Sequence, residues 1–212
     1  MKKLLASLAT AAALCAPLPA LSEPDVKYNS YDAMGCMKVG DCTQDVHQLR
    51  SYDHLVTELK SDFSPYETEI SIILDSLNEV GVKVYLAEGR YFPKGHRGSY
   101  YTDVNKFFLN RDYVWDPFVF MQVFRHEGWH AAQDCMAGDI KNTFIAVIFN
   151  EELIPNEFKV SAQVRYGLLM EKAIPWEQEA IWAGWTEGMT ADALNACASG
   201  PMWNEFDPTP MT

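Results

Sequence analysis

The sequence predicts an α+β domain: a small β-sheet packed on one long helix, with further helices C-terminal to it. Three observations carry that reading. VKVYLAE (82–88) alternates Val82, Val84 and Leu86 with Lys83 and Tyr85, the period of a strand. The run from Asp116 to Gly138 is punctuated at both ends as a single long helix. Beyond it, Pro175 opens WEQEAIWAGW as another helix, and TADALNAC (190–197) reads as a shorter one. A chain of 212 residues, 48% of them hydrophobic, can bury one substantial core, so residues 23–212 are read as a single domain.

Residues 1–22 are not part of the fold. Two lysines, an apolar Leu/Ala run and the small-residue site Ala20-Leu21-Ser22 follow the order of a secretory signal peptide, with cleavage after Ser22. The run is short and broken by Pro17 and Pro19, which makes it a poor membrane span. Lipidation at Cys15 is the alternative, although Leu14 is bulkier than the residue that usually precedes such a cysteine. The mature protein is therefore expected to be exported, periplasmic or extracellular, and not inserted in a membrane.

The remaining elements follow in order. A polar leader occupies 23–35. In 43–59, Val46, Leu49, Tyr52 or His54, Leu55 and Leu59 recur at helical spacing, with Thr43 or Asp45 as cap. In 64–81, Ser64 stands as N-cap before Pro65, Ile70, Ile72, Ile73 and Leu77 form the stripe, and Gly81 ends the helix. GRYFPKGHRGS reads as loop. SYYTDVNKFFLN (99–110) is rich in β-branched and aromatic residues and reads as a hairpin or a strand ending at KFFL. Asp116 caps the long helix, Pro117 takes its first position and Gly138 stops it. The signals blur through 142–170, where FIAVIF (144–149) is a core-sized apolar run.

Charge and cysteine use narrow the function classes. There are 17 Lys+Arg against 29 Asp+Glu, and loss of residues 1–22 removes two lysines and no acid, taking the formal charge from −12 to −14. A surface of that sign is not steered toward nucleic acid or anionic lipid. Loss of Cys15 leaves Cys36, Cys42, Cys135 and Cys197, which in an exported chain read as two disulfides with three possible connectivities. The pairing taken is Cys36–Cys42 as a small loop and Cys135–Cys197 as a long-range clamp. Four thiolates around zinc is the weaker reading, because only Cys36 and Cys42 are near each other.

FRHEGWHAAQDC (124–135) carries the chemistry. His126 and His130 lie one helical turn apart on one face and can both point at one ion. Glu127 sits beside that face, placed to act as general base without being a ligand. Val123, Phe124, Gly128, Trp129, Ala131 and Ala132 keep the neighbourhood apolar, as a buried metal helix requires. Arg125 is the exception and is expected to face away from the core.

A catalytic zinc site needs three protein ligands and an open position. No histidine follows His130, which excludes a third histidine downstream and leaves an acid. Asp134, Asp139, Glu151, Glu152, Glu157 and Glu171 qualify on charge alone. The stronger candidates are Glu177 and Glu179 in PWEQEAIWAG, an acid-bearing helix so rich in Trp176, Ala180, Ile181, Trp182 and Ala183 that a glutamate within it wants a partner. Two residues apart, they face opposite ways, so only one is expected at the metal. Gln133, one turn past His130, is a candidate supporting contact.

Val123 to Ala132 resembles the active-site helix of zincin metallopeptidases. Glu177-Gln178-Glu179-Ala180 is similar to the Glu-x-x-small pattern of the second helix in gluzincins, whose first Glu is the ligand. The resemblance therefore implies a zincin-like fold, Zn2+ as cofactor and Glu177, rather than Glu179, as third ligand. It also implies a strand such as NKFFLN as the edge along which an extended substrate aligns. Where many gluzincins have an Asp four residues after the ligand, this chain has Ile181.

The function expected is hydrolysis of peptide bonds in a peptide or protein substrate by a metal-activated water, with Glu127 as base, in a monomer with a shallow or loop-built cleft. Tyr166 or Arg165 is the expected donor to the oxyanion. The alternative is a disulfide-stabilised secreted binding protein whose zinc site is structural or inactive, closed by a fourth ligand or blocked by the 91–104 loop.

Overall fold

The computed structural model describes residues 30–202 apart from residues 139 and 169. The predicted signal peptide, Cys15 and Asp139 lie outside the described residues.

Four strands form one mixed sheet in the order β1-β2-β4-β3: β1 (Val46–Leu49), β2 (Lys83–Ala87), β3 (Gly98–Tyr101) and β4 (Lys106–Asn110). β1 runs antiparallel to β2, β2 parallel to β4, and β3 and β4 form the hairpin expected in 99–110. Asn105, at φ 50°, closes that hairpin in the left-handed region an asparagine tolerates. Alternation along the strands serves two cores. Val84, Leu86, Phe107 and Leu109 enter the main core, while Ala87 and Phe108 face a smaller cluster with Ala33, Met34 and Met37.

Those last three residues belong to α1 (Ser30–Val39), which occupies part of the stretch read as a polar leader. Its short apolar triplet is too brief to announce a helix, and the exposed face of the sheet supplies the reason for it. The helix expected over 43–59 is split. Val46–Leu49 is a strand, and only Tyr52–Leu59 (α2) is helical, capped by the Ser51 hydroxyl accepting from His54 N. Pairing with β2 overrides a periodicity that the sequence shares between both states.

α3 (Glu67–Val80) ends at Gly81, φ 91°, as expected. Its start differs. Ser64–Tyr66 is a single 3-10 turn ahead of the helix, and Ser64 caps nothing. After β4, the one-turn α4 (Arg111–Val114) leads into α5 (Pro117–Met136), the long helix predicted from its caps. The blurred region resolves into an irregular segment followed by α6 (Asn156–Tyr166). α7 (Ile174–Trp185) and α8 (Met189–Ser199) complete the chain's described part. α5 is the hub: it packs on α3, α7 and α8 and lies along the β3–β4 side of the sheet.

Both disulfides join the expected partners, Cys36–Cys42 within the α1 cluster and Cys135–Cys197 between α5 and α8. Two disulfides are compatible with an exported protein. Among the described residues, no helix is long and apolar enough to cross a membrane.

Candidate metal centre

The Asp116 carboxylate accepts from Val119 N at 2.9 Å, and Pro117 fills the first position, so α5 begins where its sequence says. Phe124, Trp129, Ala131 and Ala132 are fully buried and set the helix's rotation. That rotation turns His126 and His130 toward α7, with ring centroids 4.9 Å apart and planes perpendicular. α7 comes very close to them. A Cβ on Gly184 would stand 2.8 Å from the Gln122 carbonyl oxygen and 3.4 Å from His126 Cβ. Two turns before that contact point, Glu177 faces both imidazoles.

His126 Nε2 lies 3.4 Å from Glu177 Oε2, and His130 Nε2 lies 3.8 Å from Glu177 Oε1. One ligand atom from each of the three residues falls within 4.8 Å of the others. Two donors 2.0–2.1 Å from one tetrahedral ion stand roughly 3.3–3.4 Å apart, so three donors within 4.8 Å of one another would draw together on binding zinc. Glu177 Oε2 is buried and makes no hydrogen bond of good geometry among the described residues, which fits an oxygen kept for a cation. Glu177 and the two histidines perturb one another. Burial pushes the Glu177 carboxyl up, but the histidines and the Tyr166 hydroxyl hold it down at about 2. Burial works against the charged form of His126, and the carboxylates of Glu177 and Glu127 outweigh it, so that its pKa is raised. For His130 burial prevails and the pKa is lowered.

Glu127 is buried beside the triad but outside it. It lines a cleft of about 420 Å³ together with His126, and its side chain abuts the start of β3, where a Cβ on Gly98 would sit 3.0 Å from its Oε1. Burial, with the repulsion of Glu177, raises its pKa to about 7 against the pull of His126.

Glu179, the alternative ligand, is fully buried and faces away from the histidines' outer nitrogens. It accepts from Phe149 N at 2.6 Å, Ile148 N at 2.9 Å, Gln133 Nε2 at 2.7 Å and Trp129 Nε1 at 3.3 Å. Gln133 in turn places its Oε1 2.8 Å from His130 Nδ1. A glutamine oxygen can only accept there, so His130 carries its proton on Nδ1 and leaves Nε2 free for a metal. The pair Gln133 and Glu179 thus stands where an acid at position 181 could have served; Ile181 instead lines the cleft.

Of the acids proposed on charge alone, Asp134 is buried against the Tyr100 hydroxyl at 2.7 Å, and Glu151, Glu152, Glu157 and Glu171 are not in the cluster. Arg125 does not face away from the core. It is buried, and its Nε donates to Glu69 Oε1 at 2.8 Å while Gly188 N donates to the same oxygen at 2.9 Å. The pairing ties α3, α5 and the α7–α8 turn together, and no local pattern could have shown it. Arg165 and Tyr166 both line the cleft, as do His96, Arg97 and Trp185, which sequence reading passed over as loop and core. The hint available was GHRG, an imidazole and a guanidinium between glycines where β3 begins. KFFL is not an edge strand: β4 lies between β2 and β3, and the edges are β1 and β3.

Comparison with protein-family models, curated proteins and solved structures returned no match for this chain.

Proposed function

We propose that this chain is an exported zinc-dependent peptidase of the gluzincin type. One observation carries the proposal: His126, His130 and Glu177 converge within bonding reach of one ion while Glu127, not among them, borders the same cleft. Three donors is the number a catalytic zinc site uses, against the four of a structural one, and among the described residues no fourth histidine, cysteine or acid joins the cluster.

Bound zinc supplies Lewis acidity at the scissile carbonyl. His126 and His130 present their Nε2 atoms toward Glu177, with Gln133 fixing the His130 tautomer. Glu127 takes the proton of the attacking water at a carboxylate oxygen and delivers it to the departing amine. β3 is an edge strand, and its first residue Gly98 lines the cleft, so an extended peptide can add alongside it. Gly98 has to lack a side chain for Glu127 to lie there. Tyr166 and Arg165 are the donors available to a developing oxyanion.

Zinc content and peptide cleavage are to be measured on wild type, Glu127→Gln and Glu177→Ala. Glu127→Gln should keep the metal and lose about 10²–10⁴-fold in cleavage. Glu177→Ala should lose both. Normal cleavage by Glu127→Gln would end the enzyme reading.

A further inference from the structure

The cleft has a charge that the rest of the molecule does not. Acids outnumber Lys+Arg by 29 to 17, yet among the described residues the cleft's outer lining holds one acid, Glu127, with Glu177 behind it facing the histidines, against Arg97 and Arg165. Three of the six arginines meet acids, Arg90 with Asp45, Arg111 with Glu58 and Arg125 with Glu69, and Arg50 stands exposed outside the cleft. Arg97 and Arg165 enter no such pair among the described residues. Arg97 rests over the Tyr113 ring, 5.7 Å from its centroid, which orients the group without neutralising it. Arg165 is exposed at the end of α6, next to Tyr166, and lines the cleft with His126.

Two guanidinium groups on the lining of one cleft, without an acid partner among the described residues, offer an anion their donors. Their planar forks match a carboxylate. The cleft also has an apolar side, where Trp185, exposed and edge-on to Phe118, stands with Ile181.

Building on the peptidase reading, we propose that the substrate carries a carboxylate close to the scissile bond, bound by Arg165 and Arg97. An acidic side chain and a free C-terminal carboxylate offer the same chemistry, and only the substrate's design separates them.

The test uses peptides of one sequence, with Glu or Gln at positions flanking the bond cut, each made with a C-terminal carboxylate or amide. The ratio of kcat/KM within a pair is read on zinc-loaded wild type, Arg165→Gln, Arg97→Gln and the double variant. Wild type should favour one kind of charged member by roughly tenfold, the scale of one charge-assisted hydrogen bond. That ratio should fall toward one in the double variant and shrink as salt is raised. Fluorescence anisotropy of the same labelled peptides on Glu127→Gln should give the same ordering without turnover. Preference for Glu over Gln identifies an internal acid, and preference for carboxylate over amide identifies the terminus. A wild-type ratio near one, or a ratio that survives both substitutions, overturns the inference while leaving the peptidase reading intact. Failure of zinc-loaded wild type to cut any peptide overturns both.

Discussion

His130 has a nitrogen committed to each of two neighbours: Nε2 approaches Glu177, and Nδ1 meets Gln133, whose own amide is held by Glu179. Partners of this kind behind a metal-binding histidine are worth 10–100-fold in affinity. Gln133→Leu should accordingly weaken zinc binding by about that factor in a competition titration with a chelator, with Glu127-dependent cleavage recovered at saturating zinc. A loss of folding in the metal-free variant, and not of affinity, would assign Gln133 to packing alone. Legibility at this scale follows distance along the chain. His126, Glu127 and His130 share one helical turn and can be read directly, and Gln133 is one turn further. The roles of Glu177 and Glu179 depend on the rotation of α7, which the sequence leaves open because apolar residues surround both. Arg125 was misread for a related reason: an arginine normally seeks water, and its partner Glu69 lies 56 positions upstream.

Between elements, the α5–α7 contact sets the separation of the two helices that carry the proposed ligands. The missing side chain at Gly184 permits it, since a Cβ there meets backbone at Gln122 and cannot be relieved by a rotamer change. Gly184→Ala should push the helices apart, destabilise the protein by about 1–3 kcal/mol and reduce zinc affinity more than a remote mutation of equal stability cost. Calorimetry and zinc titration on the same preparations separate the two effects. The helices with strong end signals, α5 above all, were predictable from capping chemistry alone. The strand β1 was not, because Val46 and Leu49 fit helical spacing and four residues are too few to oppose it until they pair with β2. Strand order has the same origin. β3 is an edge and β4 interior because β2 pairs in parallel with β4, a choice made across the 18 residues 88–105.

The whole molecule is closed by two covalent links of very different span, 6 residues for Cys36–Cys42 and 62 for Cys135–Cys197. Loop-closure entropy makes the longer one worth about 4 kcal/mol and the shorter about 2. Double Cys→Ser replacement of each pair, followed by denaturant unfolding, should reproduce that order; a larger loss from Cys36–Cys42 would contradict it. Both pairings were legible from spacing and compartment, and the α+β class from element order, since neither depends on fine geometry. The cleft was not, being assembled from the β3 approach, α5, α6 and α7.

Glu177 follows His126 by 51 positions and Cys197 follows it by 71. A ribosome adds residues one at a time, so for a definite interval the nascent chain contains both histidines and the base but lacks the acid facing them. Throughout that interval the three-donor set does not exist, and the covalent clamp is still further from completion. The order of synthesis thus withholds the proposed hydrolytic centre from a chain that, half-made and extended, would itself be a peptide within its reach.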